Sequence, residues 1–290
     1  MATGATEHID AVTADVFIGE VWSKKAQIAR EQALVFVPLF NSDYKEDLTF
    51  GDTVFVPSIG NLTGTNKSVS ANAATLYETI TETRSTILVQ TWDYHALAIE
   101  TYTKLKSNQD LLARYAPKQG YALAIMVDDI LAGLVDDFGT AAIGTLGAPL
   151  SYDDWLQGAQ NLDDANAPTE DRAAVVSPRV KRYCMNLDQF VNKDYETLQG
   201  SADAGMKTPR GFFGTWMDIP FYMTTNVEGS NAAGHDNGMW QKEAVAVIVQ
   251  KTPTFYPPFF DPDYFAIKVV GEQVSGSLEM RDDHGVFMRS

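Results

Sequence analysis

The stretch "APTEDRAAVVSP", residues 167–178, holds the side chains whose types and spacing come closest to a reaction centre. Asp163 and Asp164 precede it, and Glu170, Asp171 and Arg172 lead into the apolar run Ala173 to Val176, which Ser177 and Pro178 stop. A pair of carboxylates several ångströms apart is what acid–base cleavage of a glycosidic bond needs. Adjacent residues of a strand point to opposite faces, so Glu170 and Asp171 diverge and do not converge on a substrate. The stretch is therefore read as a corner where a helix hands over to a buried strand, with Arg172 paired to a neighbouring carboxylate.

The remaining reactive residue types are scattered. His8, His95, His235 and His284 include no two within one helical turn, so any metal site would have to be assembled by the fold. "GHDNG" at 234–238 and "RDDHG" at 281–285 both read as solvated turns, because Asp and Asn hydrogen-bond their own backbone there. Cys184, the only cysteine, falls on the apolar face of an expected helix and reads as a buried, inert thiol. A single cysteine also excludes an internal disulfide or a cysteine-based zinc cage. No GxxxxGK[ST], GxGxxG, GxSxG or HExxH pattern occurs. No catalytic residue, cofactor or metal is expected. Asn61-Leu62-Thr63 is formally a glycosylation acceptor, which matters only on a secretory route.

A chain of 290 residues with 45% hydrophobic and 21% charged residues can bury a substantial core. Its net charge of −16 repels phosphate backbones and argues against sequence-specific DNA binding. The start "MATGATEHID" lacks the order of a signal peptide, and the apolar run from Tyr121 to Val127 is far short of a membrane helix. A soluble protein made in a reducing cytosol is expected.

The elements that must position these residues follow from periodicity. Residues 1 to about 15 read as a polar arm. Over Phe17 to Phe40, Val21, Trp22, Lys25, Ile28, Ala29, Gln32 and Val35 share one 3.6-period face, giving a short helix that feeds an apolar strand limited to an edge by Pro38. Val54 and Val56 alternate with Thr53 and Phe55, and Ile80 to Gln90 is rich in Thr, Ile and Val, so two strands flank residues 60–75. Ten of those sixteen residues are Gly, Ser, Thr or Asn, with Lys67 the lone charge at the tip. A long hairpin of this kind buries too little apolar area to stand alone and needs another surface.

The clearest element is a long helix from the Ser107–Asp110 capping box to Gly139. Leu123, Val127, Ile130, Leu131, Leu134 and Phe138 form its inward stripe, Asp128, Asp129 and Asp136 its outward side, and Pro117 kinks or restarts it. After the small-residue linker Gly139 to Pro149, helices are expected at Tyr152 to Leu162 and Pro178 to Asn192, the latter burying Val180, Cys184, Leu187 and Val191. Strands are expected at Ala173 to Val176, across "FFGTWMDIPFYMTTNV", at "EAVAVIVQ" and through the tail, with loops at "ETLQGSADAGMKTPRG" and "NVEGSNAAGHDNGMW".

In order and spacing, "FIGEVWSKKAQIAREQALVF", "GDTVFVPSIG", "DLLARYAPKQGYALAIMVDDIL", "PTEDRAAVVSPRV" and "RGFFGTWMDIPFYMTTNV" together resemble the major capsid protein of tailed bacteriophages over essentially the whole chain. The resemblance implies an α+β capsid fold: an N-terminal arm and helix (1–49), an extended β-hairpin loop (50–92), a peripheral domain with the spine helix (93–147), an axial α/β domain (148–250), and C-terminal strands returning to the peripheral domain (251–290). It implies a structural role without catalysis, in which copies close into an icosahedral shell of pentamers and hexamers around double-stranded DNA, each hairpin lying across a neighbour. It implies as further partners a portal protein and a scaffold or cement protein, with no membrane involved, and as the place the virion after synthesis in the host cytoplasm. The charges of the 167–178 corner then face solvent or an adjacent subunit, and Lys24, Lys25 and Arg30 are available to the inner face. Some members of that family join subunits through a lysine of the extended loop and an asparagine. No motif here marks an asparagine partner for Lys67, so non-covalent assembly is expected. An encapsulin-type nanocompartment shares the implied shell fold, and a carboxylate-dependent hydrolase is the alternative from another class.

Overall fold

A computed structural model describes residues 34–44, 51–60, 62–67, 77–80, 82–106, 111–139, 141–187, 190, 211–230 and 232–290. The expected arm and first helix, Lys24, Lys25, Arg30, His8, Asn61, the Ser107–Asp110 box, and the loop from 196 to 210 lie outside these residues. In chain order the elements are β1 (Thr53–Ile59), β2 (Glu82–Leu88), β3 (Thr91–Glu100), α1 (Thr101–Lys106), α2 (Leu111–Gly133), α3 (Tyr152–Asp164), β4 (Arg172–Val176) and α4 (Pro178–Cys184). They continue as β5 (Phe212–Trp216), β6 (Ile219–Met223), β7 (Gly229–Ser230), β8 (Gly234–Gln241), β9 (Val245–Phe255), β10 (Phe259–Asp261), β11 (Ala266–Glu279) and β12 (Gly285–Arg289).

The strands form three sheets, of which β1 and β2 make a separate ribbon. The fourteen-residue β11 is the axis of a four-stranded sheet: β3 pairs along one edge, while β10 and β9 share the other. A six-stranded sheet runs β12-β8-β4-β6-β5, with β7 on β8; β4 and β6 are parallel and the other pairs antiparallel. The expected C-terminal segment 251–290 thus divides: β11 stays with β3, but β12 crosses to pair with β8.

α2 packs its Leu123, Val127 and Leu131 inward, as the periodicity predicts, and Gln273 on β11 donates to the Leu123 carbonyl at 2.6 Å. Three expectations about this helix are corrected. It ends at Gly133, not Gly139; Leu134 and Val135 close tighter turns onto the carbonyls of Leu131 and Ala132, so the apolar spacing outlives the helix because Val135 and Phe138 still reach the core. Ile130 lies at the rim, 36% exposed. Asp128, expected on the outward side, is fully buried.

The core around Asp128 explains the segment before β1. In place of the expected strand, residues 37–39 form a 3₁₀ turn, and Phe36 and Phe40 stack on Trp240 of β8 with centroids 5.9 and 4.9 Å away. The Phe36 N–H donates to Asp128 Oδ1 at 2.9 Å and the Asn226 amide to Oδ2 at 3.1 Å. A carboxylate inside an apolar core is tolerable only when such donors replace water. Burial still wins and pushes the Asp128 carboxyl above its ordinary range, against the lowering from the Phe36, Asn226 and neighbouring backbone hydrogen bonds.

A second core lies between the six-stranded sheet and α3 and α4, built from Trp155, Leu162, Val180, Cys184, Trp216, Phe221 and Met239. Ser151 caps α3 in a reciprocal box with Asp154, and Ser177 caps α4, which Pro178 opens. Residues 212–223, read as one strand, are a hairpin: Met217 and Asp218 both take positive φ (50° and 61°) and turn β5 into β6. "GHDNG" is also corrected, since it forms the first half of β8, with Asn237 accepting from the Ser177 N–H and donating to the His235 carbonyl. "RDDHG" does turn, as a 3₁₀ segment over Asp282–His284. Among the described residues no helix is long and apolar enough to cross a membrane.

Candidate assembly surface

The 167–178 corner is structural. Arg172 is buried and not solvent-facing; it donates to the Pro168 and Ala167 carbonyls at 2.9 and 2.7 Å and pairs with Asp163 at 2.7 Å. Asp171 turns the chain with φ 56°, and its carbonyl accepts the Lys242 N–H at 3.0 Å. The arginine thus stitches the end of α3 to the start of β4 and leaves no converging acid and base.

The other chemical candidates stay apart. His95, His235 and His284 sit on β3, on β8 and in the turn before β12. Burial pushes the Cys184 thiol up to about 12, so it is not a nucleophile at neutral pH. An open cleft of about 410 Å³ between α2 and residues 225–229 offers Asp129 and Glu228 as its ionisable lining, with no histidine or cysteine beside them. Among the described residues no group of three or more His, Cys, Asp or Glu is placed to hold a metal ion.

Among the described residues, exposed apolar side chains cluster on two surfaces. The first is the ribbon. Its root belongs to the chain's own core: Val54, Ile87 and Val89 pack with Ala246 and Ile248 of β9. The Val89 N–H donates to the Asp52 carbonyl at 2.8 Å, and Gln250 reaches the Gly51 carbonyl at 2.9 Å. Gly276 on β11 permits the approach, since a Cβ there would lie 2.4 Å from the Leu88 carbonyl oxygen. Beyond the root the register continues from Phe55↔Thr86 to Ile59↔Glu82, where Val56 still packs against the root core but Phe55 and Ile59 are uncovered. Phe55 is 55% exposed under Arg84, Ile59 75%, and Tyr77 near the tip 93%. Lys67 is exposed in the segment beyond β1. The hairpin, expected to need another surface, finds one on its own chain at the root, and among the described residues Phe55, Ile59 and Tyr77 stay exposed beyond it.

The second place is the face of the four-stranded sheet turned away from α2. Exposure alternates along β3, leaving Trp92 and Tyr94 open, while Phe259, Phe260, Tyr264 and Phe265 crowd the β10–β11 turn. Trp92 Nε1 donates to Glu272 at 2.7 Å, and Lys251 and Tyr256 also bond that carboxylate. Lys251 first, then Tyr256 and Trp92, hold Glu272 down to about 2. Such a charge stays ionised at any physiological pH and fixes the aromatics around it. Exposed aromatic area of this extent marks interaction surfaces. Composition located the ribbon, but nothing in local sequence announced this face, whose residues come from β3 and from the stretch running β9 to β11.

Comparison with solved structures decides the architecture. A structure from Mycobacterium phage Che8 matches with TM-score 0.77 at 21% identity, over 94% of this chain and 97% of that one. The capsid of cyanophage P-SCSP1u matches with TM-score 0.73 at 15% identity, over 95% and 93%. This is the phage capsid fold. The mature capsid of bacteriophage PhiM1 shares it at TM-score 0.66 and 12% identity, over 93% and 91%. Neither a protein-family model nor a curated protein matches the sequence.

Proposed function

We propose that the chain is the major capsid protein of a tailed phage, a structural and non-catalytic subunit whose copies close into an icosahedral shell around double-stranded DNA. The observation that carries this reading is the ribbon, anchored at its root by Val54, Ile87 and Val89 and exposing Phe55, Ile59 and Tyr77 beyond it. A side chain such as Phe or Ile gains about 1.5–3 kcal/mol on burial, so each ribbon laid on a sister copy is a modest contact. Every subunit is held by several such contacts at once, and the assembled shell is far harder to dissociate than any pair. The further partners on this reading are a portal, a scaffold or cement protein, and packaged DNA without sequence specificity; the place is the virion after synthesis in the host cytoplasm. The domain limits 1–49, 50–92, 93–147, 148–250 and 251–290 stand as proposed functional parts, with β12 lending its strand to the axial sheet.

Size-exclusion chromatography with negative-stain microscopy tests this. Hollow shells tens of nanometres across are the expected outcome, and a monodisperse monomer or dimer under all assembly conditions refutes it. Phe55→Ser with Ile59→Ser should abolish shells while leaving the melting temperature of the free subunit unchanged. Denaturing electrophoresis of shells should give one monomer band, since no asparagine is identified for Lys67. Nuclease-protected DNA in purified particles is expected; a bound cargo enzyme in its place points to a cellular nanocompartment.

A further inference from the structure

The short helix α4 carries a basic, aromatic face on a chain whose net charge is −16. Arg179, Lys181 and Arg182 lie within four residues, around Tyr183 and Phe213. Arg179 Nε donates to the Tyr183 hydroxyl at 3.1 Å and its other end to the Gly147 carbonyl at 2.7 Å, so it is fixed in place. The Arg182 guanidinium lies 5.0 Å from the Tyr183 ring centroid, and Lys181 Nζ 5.1 Å from that of Phe213. Hydrogen bonding from Arg179 chiefly, with Arg182 behind it, draws the Tyr183 hydroxyl below its ordinary range, as expected where positive potential accumulates. Among the described residues neither Lys181 nor Arg182 has a carboxylate partner, whereas Arg172, Lys251, Lys268 and Arg289 all do.

The opposite charge sits at the other end of one strand. β4 enters beside Asp163, Asp164, Glu170 and Asp171, all exposed, where Arg172 is the one cation paired to them among the described residues, and it leaves directly into α4. Five residues at about 3.3 Å each set the acidic corner and the basic helix on the order of 15 Å apart. Both are anchored on one rigid core, in which Leu162 of α3 packs with Val180 and Cys184 of α4. A body with fixed, opposite charges at two ends is built for head-to-tail contact, which closes into rings.

We propose that the basic face of α4 docks on the acidic Asp163–Asp171 corner of a second copy of this chain, setting the register of neighbouring axial bodies. The inference rests on the shell reading above and specifies one of its contacts. A second copy fits better than nucleic acid because copies of an acidic chain offer carboxylates, while that same charge repels phosphate from the surface as a whole. Arg beside Tyr is also the pairing that concentrates energy at protein interfaces.

The test uses full-length chains at 0.15 M salt, read by the fraction assembled, with far-ultraviolet circular dichroism and melting temperature reporting the free subunit. K181E/R182E should lower assembly at least ten-fold with folding unchanged, and D164K/E170K should do the same. A chain carrying all four substitutions restores opposite charges across the contact and should recover shells. Carbodiimide treatment of wild-type shells should join Lys181 to Asp163, Asp164, Glu170 or Asp171 of another copy, detected as a cross-linked peptide. Shells from K181E/R182E in wild-type yield overturn the proposal, as does an absent cross-link or a fourfold variant that folds without assembling. Normal shells that lose protected nucleic acid would assign the patch to the genome instead. If the wild-type chain itself never assembles, the shell reading falls and this contact falls with it; if wild-type shells form and the variants match them, only the contact is lost.

Discussion

Replacing Glu279 by glutamine gives a pH-dependent gain in stability whose size follows from the geometry. Glu279 ends β11; one carboxyl oxygen is buried with no hydrogen-bond partner, and the other side of the group meets Asp282, whose carboxylate also accepts the Gly139 N–H. Burial first, then the bond and charge of Asp282, then Asp137, push Glu279 from an ordinary 4.5 up to about 7. Below pH 4.5 both folded and unfolded states hold the proton. As pH rises to about 7 the unfolded chain releases it and the folded chain retains it, so stability falls across that window and is flat above it. At about 1.4 kcal/mol per unit the full effect of a deeply buried group would be roughly 3.4 kcal/mol; Glu279 is only partly buried, and screening reduces this to about 1 kcal/mol. The unassembled Glu279→Gln subunit should therefore melt about 2–3 °C above wild type at pH 8 and within a degree of it at pH 5. Asp282→Asn should remove only part of the wild-type slope, because burial, the larger cause, remains. An equal shift at both pH values, or a wild type that gains stability between pH 5 and 8 relative to the variant, refutes the reasoning.

Asp128→Leu leaves the Phe36 N–H and the Asn226 amide without their acceptor, at about 1–3 kcal/mol each, against the relief of no longer burying a carboxylate; a net loss of about 2 kcal/mol in urea unfolding is expected, with Asp128→Asn milder. Gly276→Ala places a methyl against the Leu88 carbonyl and should cost about 1–3 kcal/mol, with hydrogen exchange rising at the ribbon root and not in α3. With its thiol near 12, Cys184 carries a thiolate fraction on the order of 10⁻⁴ at pH 8, so native alkylation should be negligible and unfolded alkylation complete.

Periodicity made α2, α3 and β4 legible because their buried residues repeat at 3.6 or run without interruption. Two of the errors share one cause: polar residues whose partners are remote in sequence. Asp128 reads as solvent-facing until Phe36, 92 positions away, supplies its donor. "GHDNG" has the composition of a turn, yet Asn237 is satisfied by Ser177, 60 positions away, and Gly238 is small because a Cβ there would lie 2.5 Å from Val135. The β5–β6 turn escaped notice because Met217 and Asp218 take left-handed conformations without the Asn-Gly signature. For the candidate surface, composition gave away the ribbon, since a polar tip between β-rich flanks is a local pattern. The Trp92–Glu272 face is assembled across 180 positions and has no local pattern at all.

The two demands on such a subunit pull against each other, and the distribution of charge reconciles them. Exposed Phe55, Ile59, Trp92 and the aromatics of the β10–β11 turn would drive indiscriminate aggregation in a neutral chain. A net charge of −16 makes random encounters between copies repulsive over a Debye length of about 8 Å at physiological salt, so apolar patches meet only when the approach also brings opposite charges together. Lys181 and Arg182 of α4, without a carboxylate partner among the described residues, supply that local exception, and their fixed distance from the acidic corner makes attraction depend on orientation. Apolar burial then contributes most of the holding energy, and charge selects the arrangement in which burial is allowed. Raising salt should accordingly act in both directions, weakening register while relaxing repulsion, so that high ionic strength favours irregular aggregates over closed shells.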